Sequence, residues 1–592
     1  MVSSAQLAQV NPSGQDWQVA ARCTHELVMV RAATRRASPR SPLRMSSPYG
    51  SAASARASWT TASACRPRST PILCGRHRRP AEARNKRGIP MRIDRDVTVP
   101  TRDGTPIVID VFRPDGEQPV PVIASMSPYG KDVHWPERFP LYELVDQGDH
   151  MVWETPNPQW WTERGYAVVR ADARGTGKSA GRLDVFSRKD AEDFYDVIEW
   201  CGVQPWSTGK VASSGISWYA MMGWHVAALQ PPHLAAVVAW EGCTDFYRDW
   251  GRQGGIYTNA TESWWQRQII PQLGDDDHAS MPDDLRSREL LDDWYRERTV
   301  DLAQVRVPVL SAGNWGSIHL HLRGNIEGWL DAASEYKWLV VHVGSHIDPY
   351  YADWAKDLQL RFLQRFLGGD QTAMDGVPPV RLAIRRGHDV EWRDEQNWPL
   401  PRTQWRQLYL GQKELSWHQP AEGRAPYPAT FDFTATERLE LTGPLALRLW
   451  VSHIAGDLDV FVQLEQYDVD GKRIPAIGPG GAATPVPMGI GWLRASHRKL
   501  DPERTLAHRP WHSHDEIQPL EPGVPTLLEV EIWPTSITLE PGQRLQLRVQ
   551  ADDDNMGPLA HNDPGDRRSG HGATIHLGGD HASNLYVPVI PN

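Results

Sequence analysis

The sequence predicts an α/β protein in which a mostly parallel sheet with a helical insertion is followed by a second, all-β domain. Three observations lead to this fold class. Between residues 91 and 376, short apolar runs alternate with segments of helical periodicity, which is typical of a parallel sheet covered on both faces. Residues 245–301 are helical, acidic and rich in Trp, and this stretch would form a cap over the sheet. Residues 377–592 alternate short strands with Gly, Pro and Asp turns, as in a β-sandwich or jelly roll.

The individual elements follow in order along the chain. Two strands within residues 97–112 flank the turn Arg102-Asp103-Gly104. Further strands of the first domain are predicted at residues 121–126, 166–170, from 211 onward, 235–240, 307–312 and 337–343. The spacing of apolar residues predicts helices at 190–201 and at 218–230. Strands of the second domain are predicted at residues 445–451, 458–464, 527–533 and 543–549.

Composition excludes several classes of protein. The chain of 592 residues is too long for one ordinary domain. Its net charge of −10 argues against a nucleic-acid partner, and no apolar run is long enough to span a membrane. Five cysteines are too few for a disulfide framework, so a reducing, cytoplasmic location is expected. The 27 Trp suit an apolar-lined pocket as well as a core.

The first 90 residues differ from the rest. They hold 14 Arg and one Lys but only three acidic residues, and they are rich in Ser, Ala and Pro. Such a segment cannot bury enough apolar surface to offset its chain entropy. Residues 1–90 are therefore predicted to be a disordered or non-native extension, with a transit peptide as the alternative.

A candidate nucleophile lies where a predicted strand ends and a predicted helix begins. Ser217 follows Gly215 and Ile216 at this corner, and a sharp turn there would lift its hydroxyl above the edge of the sheet. The backbone N–H of Trp218, in the first turn of the helix, would face a developing oxyanion. In the motif G-x-S-x-G the last position is Gly, whereas this chain has Tyr219.

A serine hydroxyl needs a base, and His346 is the candidate. It follows the predicted strand 337–343, in the loop that supplies the base in folds of this class. His319 and His321 could instead suggest a metal site, but no third ligand stands at a suitable spacing, so no metal is expected.

Longer stretches of the chain resemble the CocE/NonD family of serine hydrolases, which is related to Xaa-Pro dipeptidyl-peptidases and cocaine esterase. The resemblance runs from about residue 91 to the end, and its matching stretches are residues 99–104, 127–131, 165–179, 191–200, 204–206, 491–500 and 531–536. It implies an α/β-hydrolase core with a helical cap and a C-terminal jelly roll of the Xaa-Pro dipeptidyl-peptidase type. It also implies Ser217 as nucleophile, His346 as base and the hydroxyl of Tyr129 as an oxyanion donor beside the Trp218 N–H.

The chain departs from the family at the acid of the triad. The family carries this acid in a motif like G-G-W-Y-D, and here Ser317 occupies its position. A serine cannot carry the charge that stabilises an imidazolium. Glu241, directly after the strand 235–240, is the preferred substitute, while Asp245 and Asp348 are the alternatives.

The sequence therefore predicts a serine hydrolase that works through an acyl-enzyme without a cofactor. Its substrate would be a small ester, an amide or a short peptide, including an Xaa-Pro dipeptide, and ester hydrolase and dipeptidyl-peptidase stay open. The alternative is a catalytically impaired relative that acts as a binding protein. Nucleic acid and membrane are not expected as partners, and the sequence is compatible with a homo-oligomer.

Overall fold

The computed structural model describes residues 91–135, 148–274, 280–317, 319–478 and 480–591. The predicted extension at residues 1–90 lies outside these ranges. None of the helices in the described ranges is long and apolar enough to cross a membrane.

The first domain is built on a sheet of nine strands. They are β1 (Met91–Pro100), β2 (Pro106–Pro114), β3 (Val120–Ser127), β4 (Ala167–Asp172), β5 (Ser207–Ile216), β6 (Leu234–Trp240), β7 (Val309–Asn314), β8 (Lys337–His342) and β9 (Val380–Arg386). Hydrogen bonding orders them β1-β2-β4-β3-β5-β6-β7-β8-β9, antiparallel among the first three and parallel from β4 onward. The carboxyl ends of β5, β6, β7 and β8 therefore meet at one edge of the sheet.

The predicted strands correspond to strands of this sheet. β3 extends the predicted strand 121–126 by one residue at each end, and β6 adds one residue before 235. β5 begins four residues earlier than expected, at Ser207. Its first four residues are not apolar and are half-buried or exposed, so they lack the apolar pattern that predicts a strand.

Nine α-helices lie in the described ranges. They are α1 (Pro158–Thr162), α2 (Arg188–Gly202), α3 (Trp218–Ala228), α4 (Ala260–Trp264), α5 (Met281–Ser287), α6 (Asp293–Glu297), α7 (Leu322–Asp331), α8 (Asp348–Tyr351) and α9 (Asp353–Phe366). The predicted helix 190–201 is α2, and its N-terminus is capped by Ser187, whose side chain accepts from the Asp190 N–H. The second predicted helix, 218–230, is α3 and is buried on all sides.

The insertion at residues 245–301 is helical but more broken than predicted. Its described part consists of α4, α5, α6 and short π and 3-10 turns, among them Phe246–Gly251 and Trp265–Ile269. Glycines at 251, 254 and 255 and the proline at 271 interrupt regular helix, whereas Pro282 lies in the first turn of α5. The described residues of this stretch contain no named strand.

The C-terminal domain consists of antiparallel strands. They are β10 (Asp389–Glu395), β11 (Gln404–Leu410), β12 (Leu415–Ser416), β13 (Gly423–Pro426), β14 (Ala429–Thr434), β15 (Leu439–Ser452), β16 (Asp459–Tyr467), β17 (Arg473–Ile474), β18 (Ala476–Gly478), β19 (Gly481–Val486), β20 (Gly489–Arg494), β21 (Thr526–Leu539), β22 (Arg544–Gln550), β23 (Thr574–Leu577) and β24 (Asn584–Ile590). All four strands predicted here fall within or overlap β15, β16, β21 and β22. The long strand β15 lies between β21 and β24 and pairs antiparallel with both.

The two domains share buried surface and charge. Apolar side chains of α7 and β8 belong to the same core cluster as the inner strands of the C-terminal domain. The fully buried guanidinium of Arg323, on α7, bonds both to Asp249 at 2.9 Å and to Glu531 on β21 at 2.8 Å. Arg323 thus links Asp249 of the first domain to Glu531 of the C-terminal domain, and losing either carboxylate would leave its buried charge less well compensated.

Candidate active site

Ser217 lies at the turn between β5 and α3. Its φ of +57° is rare for a residue other than glycine and costs on the order of 1–3 kcal/mol. The turn is held by two backbone hydrogen bonds, from the Ser217 N–H to the Trp240 carbonyl at 3.0 Å and from the Ile216 N–H to the Glu154 carbonyl at 3.1 Å. A side chain at Gly215 would approach Tyr219 Cβ to 2.5 Å, so the close turn requires glycine there.

Tyr129 lies beside this turn in a cluster of aromatic rings. It is 3% exposed and makes edge-to-face contacts with Trp218, Tyr219 and Trp264 at centroid distances of 6.0–6.1 Å. Tyr219, at the position of the last glycine in G-x-S-x-G, thus supports Tyr129 through its ring. Tyr129 and Ser217 line the same two cavities, as an oxyanion donor and its nucleophile would.

Glu241 follows β6 directly and is completely buried. Its Oε2 accepts from His346 Nδ1 at 2.9 Å and from the Ser317 hydroxyl at 2.5 Å, while its Oε1 lies 3.2 Å from Asn314 Nδ2 and 3.4 Å from His342 Nε2. Burial alone would raise the pKa of this carboxyl, but the neighbouring His346 and the hydrogen bonds hold it below its usual range.

Ser317 lies beside the carboxylate of Glu241. Ser317 follows β7, and its hydroxyl donates to the carboxylate of Glu241, which comes from the end of β6. A second carboxylate at this point would repel Glu241. The Ser317 hydroxyl is therefore a hydrogen-bond donor to the carboxylate that contacts His346. The other two candidates do not reach His346: Asp245 pairs with Arg248 and Asp348 accepts from Ser345.

His346 lies between two carboxylates. Its Nδ1 faces Glu241 and its Nε2 lies 3.0 Å from Glu154 Oε1. Burial would lower the pKa of this imidazole, but Glu241 and Glu154 together raise it to about 10. Since ionised carboxylates only accept hydrogen bonds, both ring nitrogens must donate, and His346 is an imidazolium in this arrangement.

The histidine that contacts Ser217 is His321. Its Nε2 lies 3.3 Å from Ser217 Oγ, and its ring stacks on His346 at 4.9 Å with an angle of 7° between the planes. Burial, with the nearby His346, holds the pKa of His321 well below its ordinary value, so this imidazole is neutral. His346 thus shares the cavity with Ser217, while no hydrogen bond between the two is found among the described side chains.

Sequence reasoning missed His321 and Glu154. The sequence suggests His321 only as half of a possible metal pair with His319. In the structure, His319 lines the aromatic cavity, whereas His321 contacts Ser217. The contact from Ser217 to His321 spans 104 positions and that from Glu154 to His346 spans 192, and neither belongs to a local motif. The one available signal was the location of His321 just beyond the carboxyl end of a parallel strand.

Two cavities meet at Ser217. The first, of about 220 Å³, is mainly apolar and is lined by Trp250, Trp264, Leu320 and Leu559 together with Arg267. The second, of about 390 Å³, carries the polar groups Glu154, His321 and His346. A substrate with its carbonyl at Ser217 would therefore place one substituent among aromatic rings and the other near the histidines.

Comparison with known proteins agrees with this architecture. Residues 103–291 match the model of the X-Pro dipeptidyl-peptidase (S15 family), and residues 372–586 match the X-Pro dipeptidyl-peptidase C-terminal non-catalytic domain. A solved CocE/NonD family hydrolase from Staphylococcus aureus is 31% identical, with a TM-score of 0.79 over 84% of this chain and 94% of that one.

The curated relatives are named as esterases and Xaa-Pro dipeptidyl-peptidases. The cocaine esterase of Rhodococcus sp. (strain MB1 Bresler) is 24% identical over 84% of this chain and 98% of its own length. A putative Xaa-Pro dipeptidyl-peptidase of Bacillus anthracis is 26% identical over 51% of this chain and 55% of its own. An α-amino acid ester hydrolase shares the fold, with a TM-score of 0.64 at 17% identity. The chain is a serine hydrolase and belongs to the CocE/NonD family.

Proposed function

We propose that the protein hydrolyses a small ester with an apolar or aromatic acyl group, through a covalent intermediate on Ser217. The observation that carries the proposal is the placement of Ser217 on a strained turn, at the junction of an aromatic cavity and a cavity lined by His346, whose Nδ1 contacts the buried Glu241. Such a turn presents a hydroxyl, and such a pair supplies a base with a charged partner.

The proposed reaction has two halves. Once Nε2 of His346 has lost its proton, Ser217 Oγ attacks the ester carbonyl while its own proton passes to Nε2, and the oxyanion accepts hydrogen bonds from the Tyr129 hydroxyl and the Trp218 N–H. The intermediate collapses as the alcohol leaves with the proton from His346. Water then attacks the acyl-enzyme by the same route, with its proton taken by His346, and releases the acid.

In this scheme Glu241 replaces the usual acid after β7. Its carboxylate fixes Nδ1 of His346 as a donor and stabilises the imidazolium that forms during attack (N–O distance 2.9 Å). A buried carboxylate beside the histidine supports an active enzyme over an inactive binding protein, because that alternative rested on a missing acid.

The two cavities favour an ester over a dipeptide substrate. A dipeptidyl-peptidase must bind the free amine of its substrate with carboxylates, but no acidic residue is among the described residues that line the aromatic cavity. Glu154 is the acidic residue lining the second cavity, and it is already paired with His346. We therefore assign the aromatic cavity to the acyl group.

We further propose that residues 245–301 act as a cap and that the C-terminal domain has the jelly-roll architecture. Trp250 and Trp264, both from this stretch, supply the aromatic wall of the acyl cavity. The antiparallel pairing of β15, β16, β20 and β22 supports the second assignment. A cytoplasmic location and small-molecule partners remain predictions of the sequence, and Cys201 and Cys243 are buried thiols without a disulfide.

Two assays test the proposal. A fluorophosphonate probe should label the native protein and leave Ser217→Ala unlabelled; equal labelling of both would exclude Ser217 as the nucleophile. A panel of p-nitrophenyl esters beside Gly-Pro-p-nitroanilide should give turnover with the esters and the highest kcat/KM with an aromatic acyl group. Turnover of the anilide alone would replace the ester assignment by a dipeptidyl-peptidase.

A further inference from the structure

The nitrogen of His346 that should take the proton of Ser217 is occupied by another partner. Nε2 lies 3.0 Å from Glu154 Oε1, while Nδ1 is held by Glu241. Ser217 meanwhile lies 3.3 Å from the neutral His321. In this arrangement the base already carries a proton on each nitrogen and cannot accept a third.

We propose that Glu154 is a positioning residue that competes with Ser217 for Nε2 of His346 and holds the base in a protonated resting form. The inference rests on the proposed function, in which His346 is the base. It adds that the base becomes active only when Nε2 loses its proton and leaves Glu154.

The local backbone supports this role for Glu154. The residue is 3% exposed and has a φ of +64°, so it is kept in a costly conformation at the edge of the catalytic cavity. Its own carbonyl accepts from the Ile216 N–H, and the carbonyl of the next residue, Thr155, accepts from the Tyr351 hydroxyl at 2.8 Å. Hydrogen bonds thus connect this segment both to the turn that carries Ser217 and to α8, the short helix that follows His346.

The charges around His346 decide the direction of the effect. Glu241 faces it from the end of β6 and Glu154 from the segment before α1. The neutral His321 stacks on it, and His342 on β8 approaches Glu241. His319 also lies nearby, and burial together with the charge of His346 lowers its pKa to about 4. Asp348 lies on the same loop, and Arg267 lies on the cavity wall. The two carboxylates favour the imidazolium, and removing one of them weakens that preference.

The rate of attack by Ser217 depends on pH through the protonation of His346. Attack by Ser217 requires neutral His346, whose pKa is raised to about 10 with both carboxylates present. The rate of the native protein should therefore rise with pH well above neutrality. Removing the Glu154 charge lowers the pKa of His346, so the rising limb moves to lower pH.

Glu154→Gln tests the proposal, because it removes the charge and keeps the size and an acceptor oxygen. The rate of fluorophosphonate labelling is measured from pH 5 to 10 for native protein, Glu154→Gln and the control Glu163→Gln, whose carboxylate accepts from Gln159 and lies 4.0 Å from Arg164. We expect the limb of Glu154→Gln to shift down by at least about one pH unit, or about tenfold faster labelling at pH 7. The control should superimpose on the native profile.

The outcomes separate the inference from the proposed function. If the rising limbs of the pH–rate profiles coincide for native protein and Glu154→Gln, the role of Glu154 is overturned while Ser217 remains the nucleophile. A uniform loss of labelling rate without a shift along the pH axis would have the same meaning. Labelling of none of the proteins at any pH would overturn both. Should Glu154→Gln not fold, Glu154→Asp, which keeps the charge but retracts it by one methylene, should give a smaller shift in the same direction, and an unshifted limb there counts against the proposal.

Discussion

The corner after β5 and the corner after β7 both contribute to the site, but they differ in how much of the expected pattern they keep. At the first corner, Ser217 follows a glycine at a strained turn, as a nucleophile turn requires. At the second, Ser317 stands where the resemblance places the acid, and we propose that the carboxylate comes instead from Glu241 at the end of the adjacent β6. Because the ends of parallel strands are neighbours, a charge can move from one strand to the next and still reach the same imidazole.

The largest expected effect at the second corner is that of Glu241→Gln. The amide removes the negative charge beside His346 and disturbs the ring orientation, so kcat should fall by about 10³- to 10⁴-fold. Steady-state hydrolysis of the best p-nitrophenyl ester measures the change. Asp245→Asn, at the rejected candidate, is the matched comparison and should retain most of the activity.

A second substitution sharpens this result. In Glu241→Gln, adding Ser317→Asp returns a carboxylate to the corner after β7, and we expect part of the lost kcat to return. Ser317→Asp alone should reduce activity, since two carboxylates would then share one site. A double variant no better than Glu241→Gln would mean that only the β6 position can support the base.

Tyr129→Phe examines the first corner. The change removes one hydroxyl and keeps the ring that packs against Trp218, Tyr219 and Trp264. Loss of one oxyanion donor should lower kcat by about 10²- to 10³-fold with little change in KM. Tyr219→Phe, which lies against the same ring, serves as its control; an equal loss there would point to packing instead of oxyanion binding.

The smallest effect is expected from Ser317→Ala. The variant removes one of the hydrogen bonds to Glu241 but leaves the Glu241–His346 contact in place. The pKa of Glu241 should rise and kcat should fall by about tenfold, the value of one hydrogen bond to a charged group. A pH–rate profile for kcat measures both changes, and a loss as large as that of Glu241→Gln would assign Ser317 a direct role.

Much of the fold was predictable because it depends on patterns local to the sequence. Buried parallel strands are nearly continuous apolar runs, and β3, β6 and β8 were found for that reason. The turn at Ser217 was identified from its strand-to-helix context. Glu241 could be inferred because position at a strand end limits the candidates.

The rest of the site depends on distant contacts. No local pattern relates Glu154 to His346 or His321 to Ser217, since these pairs meet only after the sheet has formed. The broken helices of residues 245–301 were likewise predicted as a type but not in detail. Their course is set by packing of Trp and Arg side chains against both domains, which propensity does not encode.

The presence of Leu559 in the wall of the acyl cavity has a consequence for evolution and engineering. This leucine belongs to the C-terminal domain, which contributes none of the proposed catalytic groups, yet it touches the space that the substrate would fill. Selectivity could therefore drift through substitutions in a module remote from the reaction chemistry. Expressing the N-terminal half by itself would open that space to water and leave Arg323 without Glu531.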